Sequence, residues 1–387
     1  LEDSFSDTRY NGAAGTGVAD DGEGPVRIQR TRFEPAELHA FVRRALRAVD
    51  VRDEDASLVA NVLLASDRRG IESHGVARLE RFYVERLRDG SIDPHGTERI
   101  LRETPTTLAI DAQNTLGHPV SVRAMQRTIE KAATAGCAVT TVSQSNHFGI
   151  AGYYAMLALD HDMIGIASTN AGRLAAPTGG RDVMLGTNPF AYAIPAENGD
   201  SFVLDMATTT VALGKLEIAK RLGKPLRPGW AIDATGAMTL DPEAGMHGAL
   251  LPLGGYGTDN GGHKGFGLGL LSDILCAVLG GGVIVPDMPP STHLLKGGIT
   301  SHFFASIRID AFRDVTAFKA DLSKLLTELR ASVPAPGHDR VYTAGELETQ
   351  REIEHRDHGI GLDPVVVASL DRVAETVGVS PPVRRAA

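Results

Sequence analysis

Two stretches of this chain set imidazoles beside groups that recognise acids or pass protons. In RRGIESHGVARLERF, Ser73 and His74 precede Gly75, and Arg78 and Arg81 follow within about one helical turn. His74 and Arg78 are four apart, so a helical backbone sets them on one face. A guanidinium offers a planar fork matched to a carboxylate, and an imidazole titrates near neutrality; the pair therefore suits a carboxylate clamp with a proton carrier beside it. A solvated helix end, where the dipole favours histidine, accounts for the same residues. In SQSNHFGIAGYY, Ser145, Asn146 and His147 follow an apolar run with strand character. Loops at strand ends in α/β sheets commonly hold ligands, and taking a proton from an alcohol needs a base within hydrogen-bond reach, so His147 is the leading candidate for that base. A helix start capped by Ser145 or Asn146 is the alternative.

Three further clusters are polar punctuation in apolar surroundings. Thr187, Asn188 and Pro189 form a turn signature between two apolar stretches. FVLDMATTT ends an apolar strand in Asp205, followed by Met206, Ala207 and Thr208, and an ionised Asp in such company needs a partner. GGHKGFGLGLLSDIL sets glycines, His263 and Lys264 at a helix start, where backbone N–H groups and the dipole attract a phosphate; close helix packing would explain the glycines equally well. Neither a P-loop nor a strand-placed G-x-G-x-x-G occurs in the ordered chain, and Gly12, Gly15 and Gly17 lack a preceding strand and a following helix. No H-E-x-x-H, G-x-S-x-G or paired C-x-x-C is present, so no metal site is expected.

The elements that must position these residues fall into a pattern. Residues 1–30 mix Gly, Asp and Ser without apolar periodicity and read as a disordered tail. Helical spacing begins at RFEPAELHAFVRRALRAVDV and continues to the stop signals Gly90 and Pro94, giving the first part of a helical domain over 31–104. From TTLAIDA onward strands and helices alternate, predicting a layered α/β domain over 105–311, with GFGLGLLSDILCAVLG as a buried helix laid against its sheet. Helical periodicity returns over 312–387, so both ends of the chain are expected to build one helical domain.

Composition bounds the partners. The 387 residues are 42% apolar and 22% charged, enough to bury more than one core. A net charge of -9 without a long basic run argues against nucleic acid. Only Cys137 and Cys276 occur, which fits the reducing cytoplasm, and no run is long and apolar enough to suggest a membrane span.

Together and in this order, RGIESHGVARL, NHFGIAGYY, APTGG followed by VMLGTNPFAYAIPA, FVLDMATT, GHKGFGLGLLSDILCAVLGG and VYTAGELE resemble the malate/L-lactate dehydrogenase family. That family includes L-sulfolactate and ureidoglycolate dehydrogenases and diketogulonate reductase. The resemblance runs from about Phe33 to Val379. It implies a homodimer with a non-Rossmann α/β fold of mixed sheet, an NAD or NADP cofactor and an active site in an interdomain cleft. The substrate it implies is a small 2-hydroxy or 2-keto acid, malate foremost. By the same resemblance His147 and His74 transfer protons, Arg78 holds the substrate carboxylate, and Ser73 and Asn146 lie beside the substrate. Thr187, Asn188, Asp205, Met206, Ala207, Thr208, His263, Lys264, Gly345 and Glu346 match cofactor-contacting positions. Ala344 stands where the family usually has Pro, which implies a softer loop. Arg173 could meet the 2'-phosphate of NADP or sit in solvent. A reductase of cyclic imine 2-carboxylates and a non-catalytic nucleotide-binding protein are the alternatives.

Overall fold

The computed structural model describes residues 30–289 and 297–385. The tail expected over 1–30 lies outside the described residues, Arg30 aside. Seven strands form the main sheet: β1 (Arg99–Glu103), β2 (Thr107–Asp111), β3 (Cys137–Ser145), β4 (Met163–Thr169), β5 (Phe190–Ile194), β6 (Phe202–Met206) and β7 (Thr300–Arg308). Their order is β1-β2-β3-β7-β4-β5-β6. Only β2 and β3 run parallel, joined by the crossover helix Gly117–Ala135; the other pairs are antiparallel. The sheet is therefore mixed, as expected.

Alternation along β7 builds a layer on each face. Phe304 joins the core of the Gly117–Ala135 helix with Val120, Met125 and Val142. Phe303 and Ala305 point the other way, to Cys276 and Leu275. Cys276 belongs to a π-helical turn, Ile274–Val278, that continues the helix Gly262–Asp273. This helix was expected to be buried, and only one face is. Gly265, Gly269, Ser272 and Cys276 are buried, whereas Leu271, Ile274, Val278 and Leu279 are exposed, the last at 61%. Small residues at helical spacing let that face approach the sheet and turn the large apolar ones outward.

The two ends of the chain meet. Thr31–Phe33 pairs with Ile360–Leu362, and one core joins Phe41, Leu63, Leu79 and Tyr83 to Leu370 and Val373. The helices Pro35–Arg47, Asp53–Arg68 and Pro364–Val377 supply most of it. Helix Val315–Arg330 sits elsewhere. Its Arg330 pairs with Asp200 at 2.5 Å, its Lys319 with Asp162, and its Ser323 Oγ accepts from the Glu197 N–H at 2.9 Å, all contacts to the sheet side of the chain. No described helix is long and apolar enough to cross a membrane.

Candidate active site

His147 sits on a loop whose other residues are all fixed. β3 ends at Ser145, whose hydroxyl lies 2.8 Å from His302 Nε2, while Thr169 Oγ1 lies 2.8 Å from His302 Nδ1. Phe148 stacks on that buried imidazole at 4.4 Å. Gly149 has φ +80, and an added Cβ would come within 2.8 Å of Val62, so only glycine turns the chain here. The His147 ring is held through Nδ1: Tyr83 Oη lies 2.6 Å away and the Gly149 N–H 3.3 Å away. Among the described residues Nε2 has no hydrogen-bond partner, and the ring lines a cleft of about 820 Å³.

His74 lines the same cleft, its ring 5.5 Å from that of His147 and within 20° of parallel. A short helical turn, Glu72–His74, presents it, and Ser73 Oγ hydrogen-bonds its Nδ1 at 2.8 Å. Asp67 closes the turn by accepting the Val76 N–H at 2.8 Å. Gly75 lies so close to that carboxylate that a Cβ would fall 1.8 Å from it. Burial lowers His74 to about 4, helped by the Arg78 charge. Burial also holds His147 well below its usual range, with His74, His118, Arg78 and Arg86 adding to the effect. Burial thus favours the neutral form of both rings.

The cleft's lining includes Arg86, a residue the sequence reading missed, and Arg78 stands beside it. The Arg78 guanidinium lies over Phe82, 4.8 Å from the ring centre, and its Nε donates to Ser73 O at 2.5 Å. Between the two arginines runs a π-helical segment, Leu79–Val84, of the kind often found at functional sites. Asn146, expected beside the substrate, is buried and fully bonded. Its Nδ2 donates to Asn114 O, Asn114 Oδ1 and Thr115 O, and its Oδ1 accepts from Arg86 Nη2 at 3.0 Å and from Gly298 N. It thereby holds Arg86 and the loop.

The expected cofactor positions distribute over three clefts and the protein interior. Thr187 lines the histidine cleft. Asn188 does not: it is fully buried, its Oδ1 accepting from Ala171 N at 3.0 Å and its Nδ2 donating to Gly269 O at 2.9 Å. Thr208 is likewise turned inward, its hydroxyl bonded to the carbonyls of Thr187 and Asn188 at 3.1 Å. Both fix the turn through their side chains. Asp205 and Gly345 line a second cleft of about 710 Å³ with Arg69, Gly152 and Glu348. Asp205 accepts the Gly152 N–H at 2.8 Å, and burial lifts its carboxyl to about 6. Met206 and Ala207, half-buried, continue from it. The Glu346 carboxylate pairs with Arg330 at 3.0 Å and with Arg340, clamping the turn. The acid that faces the cleft is Glu348. His263 and Lys264, both exposed, line a third cleft of about 720 Å³ at the start of the helix Gly262–Asp273.

These residues fit a dinucleotide. Lys264 at a helix N-terminus suits a diphosphate, the Asp205 carboxylate suits a hydroxyl donor, and the histidine cleft has apolar walls in Phe82 and Pro189 for a planar ring. Two imidazoles in one cleft with arginines at hand suit proton transfer to and from an acidic ligand. The comparisons agree. The family model described as malate/L-lactate dehydrogenase matches residues 33–371, and the chain belongs to that family. Malate dehydrogenase of Pyrococcus abyssi is 40% identical over 363 residues, covering 92% of this chain and 98% of the relative. L-sulfolactate dehydrogenase of Methanocaldococcus jannaschii is 35% identical, covering 90% and 98%. The solved structure of malate dehydrogenase from Pyrococcus horikoshii OT3 superposes with a TM-score of 0.85 at 39% identity, over 93% of this chain and 99% of that one.

Proposed function

We propose that the protein interconverts a 2-hydroxy acid and its 2-keto acid, malate-like or lactate-like, using NAD or NADP. The observation that carries the reading is the parallel pair His74 and His147 in one cleft with arginines at hand. When bound, the nicotinamide supplies the hydride donor or acceptor. Asp205 and Gly345 hold the cofactor on one side and Lys264 binds its phosphates. Arg78 binds the C1 carboxylate and fixes the orientation of C2. In oxidation His147 Nε2 takes the hydroxyl proton; in reduction the protonated ring donates to the keto oxygen as negative charge develops there. Tyr83 holds Nδ1 throughout, and His74 serves as the second donor. The substrate carboxylate supplies the negative charge that raises His147 toward neutrality, so protonation is coupled to binding.

We further propose a cytoplasmic homodimer, with the helical domain taking 31–104 and the end of the chain and the α/β domain taking 105–311 extended to include Val315–Arg330. The two unpaired cysteines support a reducing compartment. The exposed face of Leu271, Ile274, Val278 and Leu279 supports burial against a second copy. The test is a panel of 2-keto acids and cyclic imine carboxylates, each with NADH and with NADPH, read by loss of reduced-nicotinamide absorbance. Turnover of 2-keto acids is expected; turnover of cyclic imines alone would overturn the reading.

A further inference from the structure

Asp67 is 1% exposed near the end of the helix Asp53–Arg68, and it touches the turn that carries one half of the site. Its Oδ2 accepts the Val76 N–H at 2.8 Å, midway along the chain between His74 and Arg78. An added Cβ at Gly75 would strike the same carboxyl group. The contact falls at a joint: the turn Glu72–His74 ends at Gly75, and the turn Val76–Arg78 begins there. Neighbouring ties hold the rest of the segment. Ser66 Oγ donates to Ile71 O at 2.7 Å, the Arg78 N–H donates to Gly75 O at 3.0 Å, and Arg78 Nε donates to Ser73 O. Among the described residues Asp67 is the one side chain that bonds the joint itself.

A buried carboxylate is costly unless a cation or several donors meet it, and here one backbone N–H does. The charged groups around it are engaged elsewhere. Glu72 pairs with Arg30, Arg69 with Glu352, and Arg351, whose stem lies against Gly70, with Glu354. His355 meets the Arg68 carbonyl, and the Arg68 guanidinium acts on Tyr153. The helices Gly117–Ala135 and Pro35–Arg47 pair with the other end of this helix, through Arg123 on Asp55 and Arg43 on Asp53. Of all these charges Glu72 alone acts on Asp67, and as an acid it opposes ionisation. Burial foremost, with Glu72 adding to it, raises the carboxyl to about 8, so the neutral acid is the form that fits this place.

We propose that Asp67 is a positioning residue: as a neutral acid it sets the joint between the two turns and so the placement of Arg78 and His74 against the bound substrate. This rests on the dehydrogenase reading above and adds a residue that touches neither substrate nor cofactor. When Asp67 ionises, a carboxylate with a single donor must seek water, and the joint opens to let it. The Arg78 fork then leaves the line that two-point recognition of a carboxylate requires. His147 hangs from β3 and from Tyr83 and stays in place. Asp67 therefore governs how tightly the acid is held more than how fast the proton moves, and substrate affinity falls as pH rises.

The experiment measures KM and kcat for malate oxidation across the pH range in the wild type, in Asp67→Asn and in Asp67→Ala, with thermal melting and NADH binding as controls. Oxidation is the informative direction because neutral His147 is its working form, so alkaline pH does not disable the base. In the wild type KM for malate should rise at least about fivefold between about pH 7 and about pH 9.5. Asp67→Asn is uncharged and still accepts from Val76, so its KM should stay within about threefold of the neutral-pH value throughout. Asp67→Ala leaves the Val76 N–H unpaired and should raise KM at least about tenfold at every pH, with kcat moved less and NADH binding unchanged. An Asp67→Ala enzyme that melts earlier but keeps the wild-type KM would make Asp67 merely structural and overturn the inference. So would a flat wild-type profile, or an alkaline rise that survives in Asp67→Asn. If Asp67→Ala does not fold, the other two profiles decide. If the wild type oxidises no 2-hydroxy acid with NAD or NADP, the dehydrogenase reading fails and this inference with it; turnover with these KM values unmoved sinks this inference alone.

Discussion

Replacing Tyr83 with Phe removes one oxygen and tests how His147 is tuned. Tyr83 is fully buried in the helical core, and the hydrogen bond it makes is the 2.6 Å contact from Oη to His147 Nδ1. Burial pushes the phenol up from its usual range, so it remains protonated and can donate to Nδ1 or, after rotation, accept from Nδ1–H. It therefore supports both the neutral ring and the imidazolium. Phe supports neither, and the Gly149 N–H at 3.3 Å can serve only a ring with no proton on Nδ1. A hydrogen bond to a charged group contributes about 1.5–3 kcal/mol, which converts to a loss of about 10–150-fold in kcat for keto-acid reduction. A hydrogen bond to the imidazolium is stronger than one to the neutral ring, so its loss lowers the His147 pKa in the complex and the alkaline limb of the kcat profile should move to lower pH. Since Tyr83 does not line the cleft, KM should change by less than about threefold. The assay is steady-state reduction of oxaloacetate across the pH range, with NADH binding measured separately. A Tyr83→Phe enzyme within about threefold of wild type at every pH, with its profile unmoved, would refute the reasoning.

Two other titratable groups give predictions of their own. Burial lifts Asp205 to about 6, and if its ionised form accepts from a cofactor hydroxyl, NADH binding should tighten as pH rises through that value. Asp205→Asn should flatten the dependence; a wild type whose affinity ignores pH between about 5 and 7 would remove Asp205 from the contact. Asp67 is raised by burial to about 8 against an ordinary value of 3.8. The folded protein thus keeps a proton that the unfolded chain releases, so the associated stability is complete below about pH 4 and is lost as pH rises through about 8. Asp67→Asn, which can still accept from Val76, should narrow the gap between melting temperatures at about pH 5 and about pH 8; an unchanged gap would assign the dependence to other groups.

The strands Phe190–Ile194 and Phe202–Met206 were legible because short apolar runs bounded by turn residues have few other solutions. The two histidines were legible because imidazoles in polar clusters at element ends are chemically conspicuous. What stayed hidden depends on distant partners. Nothing local says that Thr300–Arg308 enters the middle of the sheet, between strands more than 130 residues earlier in the chain. Arg86 reads as one more charge in RFYVERLRDG, and only the fold of the Asn146 loop over it makes it buried. Asn146, Asn188 and Thr208 looked available for ligands, but residue type cannot reveal that their side chains already bond within the protein. Glu346 and Glu348 lie two apart, and which of them meets the arginines is settled by Arg330 and Arg340 arriving from elsewhere. One signal was overlooked: Gly265, Gly269, Ser272 and Cys276 recur at helical spacing, enough to mark the buried face and leave the leucines outward.

The most direct test of the account is pre-steady-state oxaloacetate reduction by His147→Gln, alongside NADH affinity. Gln keeps a polar group of similar size but cannot carry a proton between donor and substrate. Hydride transfer should slow by at least about a hundredfold while NADH binds as in the wild type. A transfer rate within about threefold of wild type would contradict the claim that His147 moves the proton.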